Sequence, residues 1–548
     1  MKIRWVLNSL MILGVIGGLF WNKSTVPAAA ESGADKIEAA LLDEFSTQGR
    51  ADYIVRFISQ ADLSAAYNLD WKERGTYVVN ALQETAAQSQ AQARGILDAA
   101  GIKYQTFIAG NELYVWSGDA NTAEAIAEFS EVESIRQTRT YAIDPVVADN
   151  PTISQVRWAG DRLAYNLLDW VGESPSAIAW GISYTQADDF WTQFQQQGDG
   201  IVVANIDTGV QWDHPALGQS FRCGNNPSDA KCWADPSNIC GGSACDNNGH
   251  GTHTMGTMVG DDDPTLAYQV GMAPNATWIA CKGCESDSCS DYTLNACADW
   301  ILAPGGNAAN RPHVVNNSWG GGGGDTWYQA KVNAWVAAGI FPAFSAGNSG
   351  SSCNTLGSPG DYQASFGTAA HDSAGNAGSF SSRGPSTYGH DPYTKPNIAA
   401  PGVGICSSVP GSGWSCGYSG TSMASPHSAG AIALLWSCNP SLVGQVDSTF
   451  QALQNTAGIA PSGNCGAPPD GQGNYTFGYG YLDILAAGIN YCESVDKGYV
   501  EGYVTDLDSG EPIEGASISA NVGMIDEQTI NATTDPTGYY TMTLAVGT

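Results

Sequence analysis

The sequence is poor in positive charge, poor in charge of any kind and, over most of its length, empty of cysteine. Only 22 of the 548 residues are Lys or Arg, against 54 Asp and Glu, giving a formal net charge of −32. Nucleic acids and anionic membranes are recognised through basic patches, so neither is expected as a partner. Charged residues make up 14% and hydrophobic ones 43%, a balance that excludes a disordered or coiled-coil chain and allows a large core. No segment after the first thirty residues has enough consecutive apolar residues to span a bilayer. No cysteine precedes Cys223 and none follows Cys492, yet fourteen lie between them.

What is present begins with an export signal. Lys2 and Arg4 precede an apolar run from Trp5 to Trp21, and Pro27-Ala28-Ala29-Ala30 follows with small residues where a signal peptidase reads. Residues 1–30 are expected to be a signal peptide cut after Ala30, the alternative being an uncleaved N-terminal anchor. A secreted, extracellular product follows, and with it disulfides within the one cysteine-bearing region. Cys223/Cys232, Cys240/Cys245 and Cys406/Cys416 are close enough in sequence to pair, though spacing does not fix connectivity. The rival for Cys281, Cys284, Cys289 and Cys297 is metal binding, but C-x2-C-x4-C-x7-C matches no strong zinc template.

Three texts follow one another. Residues 31–145 read strand, helix, strand, strand, helix, strand: Tyr53 to Phe57, a long helix from Trp71 to Ala100, a hairpin from Tyr104 to Trp116 around Gly110-Asn111, a helix capped by Asn121, and a strand from Ile135 to Tyr141. That order is the split βαβ, or ferredoxin-like, α+β arrangement. Residues 146–180 form a junction. Residues 181–492 alternate apolar strands (Ile201 to Ile206, Trp278 to Ala280, Val314-Val315, Phe341 to Phe344) with helices (Gly251 to Val259, Tyr292 to Leu302, Thr326 to Ala338, Ser422 to Trp436). This alternation predicts an α/β fold with a mainly parallel sheet covered on both faces. Residues 497–548 alternate with period two between turns and read as an all-β, sandwich-like module that stops inside a strand.

Three strings carry chemistry. Asp207, in Asn205-Ile206-Asp207-Thr208-Gly209, ends an apolar strand, where open α/β sheets place their sites. His250 lies between Gly249 and Gly251, which leaves its imidazole approachable. His253 follows on the same helix face, but a zinc site of the H-E-x-x-H kind would need a Glu that is missing. Ser422, in Ser419-Gly420-Thr421-Ser422-Met423-Ala424-Ser425-Pro426-His427, opens a helix whose positive end and N–H groups face incoming oxyanion charge. Each string alone also fits a turn or a helix cap. Together they supply a nucleophile, a base and a carboxylate to orient the base.

Asp207-Thr208-Gly209, His250-Gly251-Thr252-His253 and Gly420 to His427, in the order Asp, His, Ser, resemble the subtilase family of serine peptidases. The context Val203 to Asp207 and Val314 to Gly320 looks like its bacillopeptidase F branch. The resemblance implies a three-layer subtilisin-like domain that cuts peptide bonds through an Asp207-His250-Ser422 triad. It implies an oxyanion donor at Asn348 and an extended substrate between Ser318-Trp319-Gly320 and Ser345-Ala346-Gly347. Residues 31–145 resemble the family's inhibitory propeptide, so the chain's partners are protein or peptide substrates and its own propeptide, with no membrane after signal removal. The C-terminal strands resemble a carboxypeptidase regulatory-like module. The chemistry requires no cofactor. Structural calcium is a family feature, but a family calcium-binding Asp falls here at Ala216, while Asp261-Asp262-Asp263 offers an acidic turn. The alternatives are a catalytically inactive adhesion or binding protein on the same scaffold, and a zinc hydrolase using His250 and His253.

Overall fold

The computed structural model describes residues 33–143, 177–261, 268–386, 393–468, 471–492 and, beyond these, 497–506, 509, 511–522, 528–537 and 539–545. The expected signal peptide, nearly all of the junction, and Asp262 and Asp263 lie outside the described residues. The N-terminal unit contains α1 (Ala39–Gln48), β1 (Ala51–Phe57), α2 (Trp71–Ser89), α3 (Ala91–Ala100), β2 (Tyr104–Phe107), β3 (Glu112–Gly118), α4 (Ala120–Ala127), β4 (Val132–Gln137) and β5 (Thr140–Ala142). Its sheet has the order β2-β3-β1-β4 with every neighbouring pair antiparallel. Val55, Leu97, Leu113, Val115, Ile126 and Ile135 are fully buried between sheet and helices.

Two local expectations are corrected. The helix expected from Trp71 to Ala100 breaks at Gln90, whose buried amide donates to Asn111 Oδ1 at 2.9 Å and so ties the break to the β2–β3 turn. That turn is where expected, with Asn111 at φ 49°. The α4 cap is Asp119, whose Oδ1 accepts from Thr122 N at 2.9 Å, and not Asn121, which lies inside the helix.

The second region is α/β. Its elements are β6 (Ala177–Ile178), α5 (Trp180–Tyr184), α6 (Ala187–Phe194), β7 (Val202–Asp207), β8 (Trp233–Ala234), α7 (His250–Val259), β9 (Tyr268–Gln269), β10 (Thr277–Lys282), β11 (Ser288–Ser290), α8 (Asp291–Leu302), β12 (Val314–Asn317), α9 (Gln329–Ala337), β13 (Phe341–Ser345), β14 (Phe366–His371), β15 (Ile398–Pro401), β16 (Ile405–Val409), β17 (Gly413–Tyr418), α10 (Thr421–Cys438), α11 (Val446–Asn455) and α12 (Ile484–Tyr491). Seven strands form one parallel sheet in the order β15-β14-β13-β12-β7-β10-β8. The strand sequences are apolar because both faces are covered, and α10 is buried from Thr421 to Trp436.

All fourteen cysteines pair: 223–232, 240–245, 281–297, 284–289, 353–465, 406–416 and 438–492. The three tight loops close as expected. The four cysteines weighed as metal ligands are two disulfides, so their sulfurs are not thiolates that could hold zinc. In the C-terminal segment β18 (Lys497–Tyr503) pairs with β21 (Tyr539–Ala545), and β19 (Ser517–Val522) pairs with β20 (Gln528–Thr533), both antiparallel. Among the described residues no helix is long and apolar enough to cross a membrane.

Candidate active site

Three neighbouring strands end at one edge of the parallel sheet, and the expected site residues sit there. Asp207 is the last residue of β7 and is 1% exposed, as is His250 at the start of α7. His250 Nδ1 lies 2.7 Å from Asp207 Oδ1. The same oxygen accepts from Thr208 N at 2.7 Å, while Oδ2 accepts from Thr254 Oγ1 at 3.2 Å. These bonds fix the carboxylate and leave Nε2 as the edge of the ring that can exchange a proton. Gly251 is required here, because a Cβ would stand 2.1 Å from Gly209 O and 3.1 Å from Asp207 Cβ.

Ser422 is the second residue of α10 and lies against the next strand end. β12 is hydrogen-bonded to β7 with Asn317 opposite Ile206, so Ser318 follows beside Asp207. Ser422 Oγ donates to Ser318 O at 3.2 Å, and Ser318 Oγ donates back to Ser422 O at 2.9 Å. Asn348 follows β13, the strand after β12. Its Oδ1 accepts from both Thr421 N (2.8 Å) and Thr421 Oγ1 (2.9 Å), which turns Nδ2 the other way. Ser422 and Asn348 line a cleft of about 560 Å³ together with Ser318, Trp319, Gly320, Ser345 and Gly347. Ala346 is not on its wall: it is fully buried, and its N–H donates to Thr368 O. Trp319 offers the cleft little beyond backbone, since its ring packs on Tyr328 and Phe344 and is 2% exposed.

Several supporting residues were not singled out in the sequence. Asp246 accepts five hydrogen bonds, from Thr208 Oγ1, Asn248 N and Gly249 N on one oxygen and from Thr252 N and Thr252 Oγ1 on the other, at 2.7–3.0 Å. It thereby joins the turn after Asp207 to the turn that presents His250. The string Asp246-Asn247-Asn248-Gly249, a turn sequence directly ahead of the histidine, was the available signal. Beneath the site runs a buried chain. Asn205 donates to Thr254 Oγ1 (2.8 Å), Asn316 to Asn205 Oδ1 and Ser318 Oγ (both 3.0 Å), and Ser425 to Asn316 Oδ1 (2.7 Å). It links the acid end of the site to the serine end through satisfied polar groups, which rigidifies both.

His253 does not join His250. It stacks on Tyr418 at 4.3 Å, places Nε2 3.2 Å from Ile405 O, and is pushed down to about 3 by burial, so it is a neutral core residue. Ala216, at the family's calcium position, is buried and its carbonyl accepts from Asp261 N at 3.0 Å, so that position supplies no carboxylate. Among the described residues no group of three His, Cys, Asp or Glu is arranged to hold a metal.

The N-terminal unit lies across this region. Its last strand, β5, pairs antiparallel with β11, and Thr140, Tyr141 and Ala142 line the cleft. Behind it, Lys331 of α9 meets Glu112 at 2.8 Å with both side chains 1% exposed. Asp299 of α8 accepts from Ile108 N and Ala109 N, both at 2.8 Å. Burial raises Asp299 to about 7 and lowers Lys331 to about 8. Arg74 donates to Ala337 O, Val336 O and Gly444 O at 2.6–2.9 Å, placing a cation on the carboxyl end of α9.

Residues 198–481 match the subtilase family. Bacillopeptidase F of Bacillus subtilis is 34% identical over 92% of this chain, which spans 36% of that protein. Subtilisin DY of Bacillus licheniformis is 34% identical over 48% of this chain and 86% of its own. The solved structure of fervidolysin from Fervidobacterium pennivorans, a keratinolytic enzyme related to subtilisin, superposes with a TM-score of 0.56 at 20% identity, covering 90% of this chain and 68% of that one. The chain belongs to the subtilase family of serine peptidases.

Proposed function

We propose that the chain is a secreted serine endopeptidase made as a zymogen. The observation that carries this reading is the 2.7 Å contact between His250 Nδ1 and Asp207, on the same sheet edge as Ser422 and Asn348. Ser422 Oγ attacks the peptide carbonyl and its proton passes to His250 Nε2. Asp207 holds the Nδ1–H tautomer and stabilises the imidazolium. The Ser422 N–H and the Asn348 Nδ2–H donate to the oxyanion. His250 then protonates the leaving amine, and water, activated by the same histidine, releases the acyl group from Ser422. No metal or cofactor enters these steps. Residues 1–30 direct export, and the unit at 31–145 blocks the cleft until it is cut away within the junction 146–180. Residues 497–548 attach or space the enzyme and take no part in the chemistry.

Ser422→Ala tests the reading. Casein turnover by the matured protein is expected to fall by about 10⁶, the loss known for removing a subtilisin's nucleophile. Unchanged hydrolysis in the variant would end it.

A further inference from the structure

One buried charge beside the triad has no role in the steps above. Lys282 is the last residue of β10, and in the parallel register it stands directly opposite Asp207. It is 0% exposed. Its Nζ donates to Thr208 O at 2.5 Å and to Asn247 Oδ1 at 2.6 Å. Thr208 follows Asp207, and Asn247 stands three residues before His250. One ammonium therefore joins the turn that carries the acid to the turn that carries the base. Asn247 is itself held, because its Nδ2 donates to Glu285 O at 3.0 Å. Gly209 and Asp246 form a β-bridge between the same two turns.

The end of β10 is fixed from its own side as well. Cys281–Cys297 and Cys284–Cys289 bracket Lys282 and tie it to α8 and to β11. Cys284 N donates to Asp207 O at 3.1 Å.

The surrounding charges decide what the ammonium does. Burial lowers Lys282, and Asp246, Asp235, Asp207 and Glu285 oppose that effect in falling order. His253, on the same helix as His250, is pushed down to about 3 by burial, and His427 of α10 to about 4, so neither adds a charge at neutral pH. Lys282 is thus a cation set against Asp207 and Asp246, where a second positive charge arises whenever His250 takes up a proton. A buried cation at that place disfavours the imidazolium.

We propose that Lys282 is a positioning residue of the triad: it holds the Asp207 and His250 turns together, and its charge keeps the His250 imidazole free to act as a base at lower pH. This rests on the peptidase reading above.

The test compares the matured wild type with three variants. Lys282→Gln keeps a donor and loses the charge, Lys282→Arg keeps the charge, and Asn247→Ala removes a neutral acceptor. Hydrolysis of one quenched peptide is followed from about pH 5 to pH 9. Lys282→Gln is expected to move the midpoint of the acid limb of kcat/KM up by about one pH unit and to lower the plateau kcat about tenfold. Lys282→Arg and Asn247→Ala are expected to lose plateau activity while the midpoint stays at the wild-type value. KM should change little, since Lys282 is buried away from the cleft wall. A variant that does not mature is read in the full chain carrying Ser422→Ala, where the His250 ring is titrated by NMR with and without Lys282→Gln. The same upward move is expected there. A midpoint that Lys282→Gln leaves in place, or one that Lys282→Arg moves as far, overturns the inference and leaves Lys282 a structural lysine. Wild-type protein that neither cleaves nor takes up a fluorophosphonate overturns the peptidase reading, while the ring titration still tells whether Lys282 acts on His250.

Discussion

The two main regions of the molecule are held by different physics. The peptidase domain carries seven disulfides, including Cys353–Cys465 across 112 residues and Cys438–Cys492 across 54. The N-terminal unit has no cysteine, and it grips its neighbour through an apolar face that includes Val78, Leu82 and Phe107 and through buried charges: Glu112 on Lys331, Arg136 on Asp291, Arg74 on the end of α9, and Arg311 over the Trp71 ring at 3.8 Å. Covalent closure suits a part that, on the proposed reading, persists outside the cell. Buried ion pairs suit a part that, on the same reading, binds in one register and later leaves, since they favour orientation more than net affinity.

That contrast can be broken at four points, in falling order of effect. Cys353→Ser with Cys465→Ser opens the longest loop. A loss of about 4–5 kcal/mol is expected for the peptidase domain with the N-terminal unit unaffected, read by urea unfolding followed separately for each region. Lys331→Met strips Glu112 of its buried cation at a cost of about 3 kcal/mol. Hydrogen exchange at the Ile108 and Ala109 amides is then expected to rise by about 100-fold.

The third point is pH. Burial raises Asp299 to about 7 and moves Asp291 in the same direction. A carboxyl whose value is higher in the closed interface than in the open one contributes fully below its open value and loses that contribution as pH climbs through its closed value, about 7 for Asp299. Glu112 moves the other way: against the opposing effect of its own burial, Lys331 and Arg136 draw it below 4.5, so it matters only in stronger acid. Lys331, lowered to about 8 by burial, titrates above this window. The N-terminal unit is thus expected to loosen about tenfold between pH 5 and 7. Exchange rates corrected for intrinsic pH dependence should show it in Ser422→Ala protein, and Asp299→Asn should flatten the slope. The smallest effect is expected at Arg50–Asp119, a 3.7 Å pair with 59% and 34% exposed side chains. Arg50→Ala should cost less than about 0.5 kcal/mol in thermal unfolding.

Much of the fold was readable because its cause is local. Apolar strands such as Val202–Asp207 and Phe341–Ser345 announce a sheet covered on both faces, and Gly110-Asn111 announces its own turn. The positions of Asp207, His250 and Ser422 on one edge follow from strings that also match a known family. What stayed hidden depends on partners distant in sequence. Nothing near Gln90 breaks a helix, since the break is made by Asn111 from across the unit. Asp246 looks like a turn residue until its five donors converge, and Lys331 looks like a solvated charge until Glu112 closes over it. The pairing of Cys281 with Cys297 across Cys284–Cys289 is set by strand β10 meeting helix α8, which spacing alone does not specify.

The most direct measurement is active-site labelling. The matured protein is treated with a fluorophosphonate, digested, and the modified residue mapped by mass spectrometry. One equivalent on Ser422, absent in His250→Ala, is the predicted result. No label, or label on another serine such as Ser425, would contradict the account.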